Sequence, residues 1–414
     1  MEDDLFYVHI AAISSAFTPG APIDSRDLFA GRQKQVHKVI VTIFQRGQHI
    51  VIFGDRGVGK TSLANTLFDF LVLTGKYNYQ RARVNCSDSM TFEDMWRSVF
   101  KQLFFNGPDH TSTLEDLLPN NPNPENIKET FQLINDPSIV IIDEFDRVGN
   151  PDMDRMLADT VKTLSDNSID TTLIVVGVAD SVDQLIGEHH SIERAIVQIP
   201  MPPMSTPELL EIVDRGFSKC EGLSIDPAVR ERLADYSQGL PTYTHLLARE
   251  AAMEAVRRGR TNITMADLEA AIKEAVDSQL ETNLTAYNVA VTAPRGKNFK
   301  PVLLACALAE KDEKGYFYAN AVKQPLQAIT RKPYEIPAFA RHLKDFSDAS
   351  RGPILEKDGR RYRFLKPLMV PYVVLRGLAD GLIQENQLSR PSTSSGESEQ
   401  LSLRLFDVVR LQVP

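Results

Sequence analysis

The sequence predicts an α/β protein: a parallel sheet covered by helices, then an all-helical segment, then a small helical module closed by a hairpin. Three observations carry this. Short β-branched runs alternate with helical patterns through the first half of the 414-residue chain, as strands buried between crossover helices do. After about Pro200 the strands stop and four capped helices follow. Near the end, Asp358-Gly359 separates two extended runs, a strong two-residue hairpin signal.

The predicted strands are residues 49–53 (HIVIF), 81–86 (RARVNC), 138–143 (SIVIID) and 171–178 (TTLIVVGV), with a further strand in VQIPMP. Their near-continuous apolar character predicts burial on both faces. Residues 106–128 are rich in Pro, Asn and Asp and read as a surface loop or insertion. Ser205-Thr-Pro-Glu208 is a capping box that opens the first helix of the second segment. Asp226-Pro227 opens another, Gly239 ends it, Pro241 starts a third, and Thr264-Met-Ala-Asp267 opens a fourth. The predicted organisation is an N-terminal extension (1–27), an α/β core (28–204), a helical lid (205–280), a polar linker (281–298), a winged-helix module of three helices and a hairpin (299–384), and a flexible tether with one short strand (385–414).

Composition narrows the function classes. The hydrophobic share of 43% and charged share of 24% suit a water-soluble globular chain. No apolar run is long enough to span a bilayer, and the acidic N-terminus MEDDLF is unlike a secretory leader. Cys86, Cys220 and Cys306 show no metal-binding spacing, which predicts reduced thiols and a cytoplasmic protein. The net charge of −9 argues against a protein that coats nucleic acid. The charge is uneven, however. Residues 291–380 hold 17 Lys/Arg against 9 Asp/Glu, leaving −17 for the rest. A basic C-terminal module on an acidic body predicts an anionic partner of its own.

The chemistry-bearing stretch is Gly54-Asp-Arg-Gly-Val-Gly59-Lys60-Thr61, lying between a strand and a helix. It fits a phosphate-binding loop. The glycines let main-chain amides close around phosphates, and the helix N-terminus adds positive potential. The loop residues Gly54, Asp55, Arg56, Gly57, Val58, Gly59, Lys60, Thr61 and Ser62 are therefore the candidate nucleotide site. Lys60 is expected to reach the β- and γ-phosphates and Thr61 to ligate Mg²⁺. Asp143-Glu144 ends a later strand. Asp143 is expected to hold the metal through water, and Glu144 to activate the attacking water.

These motifs together resemble the AAA+ ATPases, and the initiator clade (origin-recognition-type ATPases and their bacterial relatives) in particular. Phe29-Ala-Gly-Arg32 is similar to that clade's F-x-G-R segment, which implies an adenine contact for Phe29, Gly31 and Arg32. Val84-Asn-Cys86 matches its V-N-C strand, and residues 175–183 resemble its sensor-1 strand. The sequence departs from the pattern at three places. Asp180 stands at the sensor-1 position where Asn is usual. Gln33 replaces the usual Glu. Gly239-Leu240-Pro241 stands where a lid arginine is expected, and resembles the STAND signalling ATPases, which keep a proline there; Pro241 is thus a candidate nucleotide neighbour. Its alternative reading is plain helix punctuation. The resemblance also implies that Arg194 acts as a finger in a neighbouring subunit's site, hence a homo-oligomer with ATP and Mg²⁺ as cofactors.

For the C-terminal module, Arg341, His342 and Lys344 on the third helix and Arg360, Arg361, Arg363 and Lys366 on the wing are candidate contacts to duplex DNA. Tyr362 and Phe364 are expected to pack the wing. The alternative partner is a separate effector protein, with the module serving protein interaction. No membrane partner is expected.

Overall fold

A computed structural model of the chain describes residues 2–72, 79–105, 113–186, 190–277, 281–292 and 298–383. These divide into two compact units: residues 22–55 with 59–201, and residues 2–21 with 56–58 and 202–383. The chain opens with helix α1 (Glu2–Ala16), which belongs to the second unit, and then enters the first.

The first unit is built on a five-stranded parallel sheet. In chain order its elements are α2 (Gln33–Ile43), β1 (His49–Gly54), α3 (Lys60–Val72), β2 (Gln80–Asn85), α4 (Phe92–Phe100), α5 (Pro124–Phe131), β3 (Ser138–Asp143), α6 (Pro151–Asp166), β4 (Thr171–Val178), α7 (Val182–Ile186) and β5 (Ile196–Pro200). The spatial order is β2-β3-β4-β1-β5. Register pairs Gly54 with Val178, and Asn85 with Asp143. The carboxyl ends of β1, β3 and β4 therefore share one edge, where parallel sheets place their ligand loops.

The central strands match the expected segments, and every residue of β3 is buried. Strand β2 does not match the expectation of burial on both faces. It is an edge strand in which buried Ala82 and Val84 alternate with the more exposed Arg81 and Arg83. On one side, Trp96, Phe100 and Phe131 form an aromatic core with ring centroids 4.9–5.7 Å apart.

That core corrects the loop reading of residues 106–128. Within the described part, Leu114, Leu118 and Ile127 are buried. The Asn-Pro signal proves to be a helix start. Asn123 Oδ1 accepts from the amides of Glu125 and Asn126 (2.9 and 3.1 Å), and Pro124 occupies the first turn of α5, where a missing N–H costs nothing.

His49 is fully buried in β1, and its Nδ1 accepts from the Leu173 amide at 3.0 Å. Burial holds its pKa down to about 4. The folded chain thus excludes a proton that the unfolded chain binds between pH 4 and 6.5, and stability from this residue rises with pH across that window. Acidification below pH 4 should cost about 3 kcal/mol at this one group. Denaturant titrations followed by Trp96 fluorescence should show the loss in the wild-type chain and its absence in His49→Asn.

The second unit continues with α8 (Thr206–Ser218), β6 (Ser224–Ile225), α9 (Pro227–Ser237), α10 (Pro241–Arg257), β7 (Asn262–Ile263), α11 (Met265–Asp277), α12 (Glu281–Val291), α13 (Phe299–Leu308), β8 (Phe317–Tyr318), α14 (Lys323–Thr330), α15 (Ile336–Phe346), β9 (Leu355–Asp358), β10 (Arg361–Phe364) and α16 (Met369–Ala379). The caps at Ser205 and Thr264 form as expected, while Asp226 makes no side-chain cap to α9. Glu208 accepts from the Ser205 amide at 2.9 Å, and Asp267 from the Thr264 amide at 2.9 Å.

Four differences from the expected organisation stand out. First, the N-terminal segment is no separate extension. Phe17, just past α1, lies 5.1 Å from Phe217 and is so close to Gly216 that a Cβ there would meet its ring at 2.2 Å. Second, β6 and β7 pair in parallel within the segment expected to lack strands. Third, the expected linker contains α12, whose Tyr287 is buried edge-on to Tyr372 of α16 at 5.7 Å. Fourth, the lid helices and the C-terminal module join in one unit, with Tyr243 donating to the Leu368 carbonyl at 3.0 Å. The hairpin forms one residue later than expected. Asp358 pairs with Arg361, so the turn residues are Gly359, at φ +57°, and Arg360. The tether at 391–400 and the strand expected beyond it lie outside the described residues.

Candidate functional site

The phosphate loop follows from local requirements. β1 ends at Gly54, whose φ of +146° and nearness to the Met201 carbonyl (2.5 Å from a notional Cβ) exclude any side chain. Gly57 and Gly59 also have positive φ (+86° and +95°), so the chain turns back on itself. Lys60 then starts α3. Its buried Nζ donates to the carbonyls of Gly54 (2.9 Å) and Asp55 (2.7 Å), the loop's own rim. Thr61 is half-buried beside it. The Ser62 hydroxyl accepts from the Ile23 amide at 3.1 Å, an anchoring role for the segment before α2 that the sequence did not show.

At the end of β3, Asp143 is buried. Its Oδ1 accepts from the Glu144 amide at 2.8 Å, and its Oδ2 accepts from Arg83 Nη2 at 2.6 Å. Glu144 takes the left-handed conformation, φ +55°, uncommon for a non-glycine residue and typical of functional turns. Its carboxylate accepts from Arg147 Nη1 at 3.1 Å, and Arg147 Nε also donates to Asp88 at 3.2 Å. Asp146 Oδ1 accepts from the Val178 amide at 2.8 Å, which ties the acidic turn to the end of β4. Gly177 makes room for this, since a Cβ there would stand 3.0 Å from Asp146 Oδ1. Asp180 follows β4, its amide donating to Gln184 at 2.8 Å.

Negative charge is concentrated here. Burial first, then Asp143, Asp146 and Glu144, push the Cys86 thiol up to about 12. Cys86 is therefore a neutral packing residue; all three cysteines are free and buried. Thr61 and Asp143 carry the oxygen donors that a hard divalent ion such as Mg²⁺ takes.

The remaining candidates fall in different places. Phe29 is buried against Phe70 (5.9 Å), and Gly31 and Arg32 both have positive φ, with Arg32 buried. Arg194 is largely exposed and pairs with Asp166 at 2.5 Å. In the other unit, Pro241 is buried at the start of α10. Gly239 there has φ +82°, and a Cβ would meet Pro203 at 2.6 Å, so the punctuation role of this Gly-Leu-Pro is real.

On the wing, two of the nucleic-acid candidates are paired with carboxylates. Arg361 pairs with Asp358 (2.6 Å) and Asp312 (3.4 Å), and Arg363 with Glu356 (2.9 Å). Both guanidinium groups stack on Tyr316 at 4.6–4.7 Å. Both lie on one face of β10, each with a carboxylate partner. The opposite face carries Tyr362 and Phe364 against Phe317, as expected. His342 packs on Phe299 at 4.6 Å. Arg341, Lys344, Arg360 and Lys366 are exposed.

Sequence reasoning missed Arg83, Asp146 and Arg147. Arg83 had a signal: arginines two apart in a strand (Arg81, Arg83) beside the Asp-Glu strand. Arg81 instead lies over the Phe68 ring at 4.6 Å.

Residues 43–186, which contain the loop and both acids, match a family model described as an AAA domain. No curated protein sequence matches the chain. Among solved structures, the chain is similar to the Walker-type ATPase paby2304 of Pyrococcus abyssi, at TM-score 0.51 and 16% identity, over 86% of this chain and 99% of that one. It is also similar to Cdc6p from Pyrobaculum aerophilum (TM-score 0.47, 16% identity, 90% of this chain and 99% of that one). A third is the ORC2 protein of Aeropyrum pernix, solved as ADPNP-ADP complexes (0.49, 14%, 89% and 98%). The core is an α/β phosphate-loop fold of the AAA type.

Proposed function

We propose that this chain is an ATP-binding AAA+ ATPase of the initiator type, which hydrolyses ATP slowly and acts as an oligomerising switch. The observation that carries it is a formed phosphate loop, with buried Lys60 on its rim, at the same sheet edge as Asp143 and Glu144. In this reading the loop amides and the start of α3 receive the phosphates. Lys60 exchanges the loop carbonyls for phosphate oxygens, and Glu144 orients the attacking water. Thr61 and Asp143 would hold Mg²⁺, which supplies charge neutralisation on the phosphates when bound. Phe29, Gly31 and Arg32 border the base.

Arg194 would complete a neighbour's site. Leaving Asp166 costs little because the pair is exposed, and such pairs contribute under about 1 kcal/mol. Asp180 and Pro241, standing where an amide and an arginine are usual, support slow turnover. The winged helix would meet duplex DNA through Arg341, Lys344, Arg360 and Lys366.

The neutralised Arg361 and Arg363 favour a second reading, in which the winged helix binds protein and the chain is a signalling or defence ATPase acting on a separate effector. Mass in solution with ADP, with ATP, and with ATP plus duplex DNA at low and high salt separates the two. The initiator reading expects ATP-dependent assembly and DNA binding that falls steeply with salt. Assembly without DNA binding selects the signalling reading. A monomer under every condition overturns the switch.

A further inference from the structure

The proposed ATPase leaves one ion pair unexplained. Arg83 holds Asp143, the candidate metal carboxylate, from a strand 60 residues away in sequence. Both Asp143 oxygens are engaged, one by the Glu144 amide and one by the guanidinium. The Asp143 side chain is 3% exposed and that of Arg83 is 31% exposed. Removing one partner of an ion pair this buried is costly. A divalent ion brought to the same group meets a position already neutralised.

Arg83 does not depend on Asp143 alone. Its Nη1 donates to Asn65 Oδ1, and its Nε donates to Asn85 Oδ1 at 3.3 Å. Asn65 in turn is fixed by α3 and by donating to the Ile23 carbonyl at 3.3 Å. An arginine with two amide partners and an exposed flank can leave a carboxylate without losing every hydrogen bond.

We propose that Arg83 is a displaceable internal cation on Asp143: a positioning residue that competes with Mg²⁺ and sets the metal concentration at which the nucleotide site loads. The inference rests on the proposed ATPase function. It implies that the metal-free site is kept charge-balanced by the chain itself, and that metal loading releases Arg83 toward Asn65 and Asn85.

The test is binding of a fluorescent ATP analogue to the full chain at pH 8, across a Mg²⁺ titration and in EDTA. Arg83→Gln should lower the Mg²⁺ midpoint about tenfold, the equivalent of one charge-assisted hydrogen bond, while affinity in EDTA changes less than about threefold. Arg83→Lys keeps a positive charge near Asp143, which protects folding, and should lower the midpoint about two- to threefold. A purely structural role would weaken binding equally with and without metal. That result, or a midpoint unchanged or raised in the folded variants, overturns the proposal. Failure of the wild-type chain to bind nucleotide with or without Mg²⁺ would instead overturn the proposed function, and this inference with it.

Discussion

Lys60→Ala is expected to weaken ATP binding at least about a hundredfold, since it removes a charge-assisted contact to two phosphates. The geometry makes the cost specific. Lys60 Nζ is buried and held on the Gly54 and Asp55 carbonyls, so the ammonium is already desolvated and aimed along the loop rim. Little side-chain entropy remains to be lost when phosphates arrive. Calorimetric titration with Mg·ATP measures the effect. Far-ultraviolet circular dichroism should be unchanged, because the turn is set by Gly54, Gly57 and Gly59 rather than by the lysine. Retained binding in Lys60→Ala would remove the phosphate loop from the proposed mechanism.

Glu144→Gln is expected to leave ATP affinity within about twofold of wild type and to cut turnover by about a hundredfold or more, the usual scale for losing a general base. The amide keeps the size and the hydrogen bond from Arg147 but cannot take a proton. The left-handed turn at Glu144 is held by Asp143 Oδ1 and by buried Phe145, so the substitution leaves the backbone in place. Single-turnover hydrolysis alongside a binding titration separates chemistry from affinity. Equal turnover in the variant would assign water activation elsewhere at this sheet edge, where Asp146 and Asp180 also stand.

Legibility followed the range of the forces involved. β1, β3 and β4 could be read because Val and Ile runs bounded by turn residues have few other folded solutions. The phosphate loop could be read because its constraints, positive φ and a helix start, are met within eight consecutive residues. Residues 124–128 misled because Asn-Pro marks a turn and a helix cap alike. Only the buried contacts of Ile127 and Phe131 decide between them. The segment at 281–291 read as a polar linker, yet α12 forms there, with Tyr287 buried against Tyr372 of α16.

The wing shows the same limit for charge. Four basic residues in a hairpin read as an anion grip. Alternation along β10 instead points two of them at Tyr316 and three carboxylates. A count of charges carries no information about which are already paired.

What the chain determined by itself was local: the strands, the caps, the loop glycines, and a lysine and threonine at the head of a helix. Strand order was decided only in three dimensions. It sets β2 beside β3, and so delivers Arg83 to Asp143 across 60 residues. Helix α1 likewise found its place only when Phe17 met the bare backbone of Gly216. Turns and caps are paid for by neighbours in sequence. Pairing a buried charge depends on which distant segment the sheet brings alongside, and that choice belongs to the packing of the whole unit.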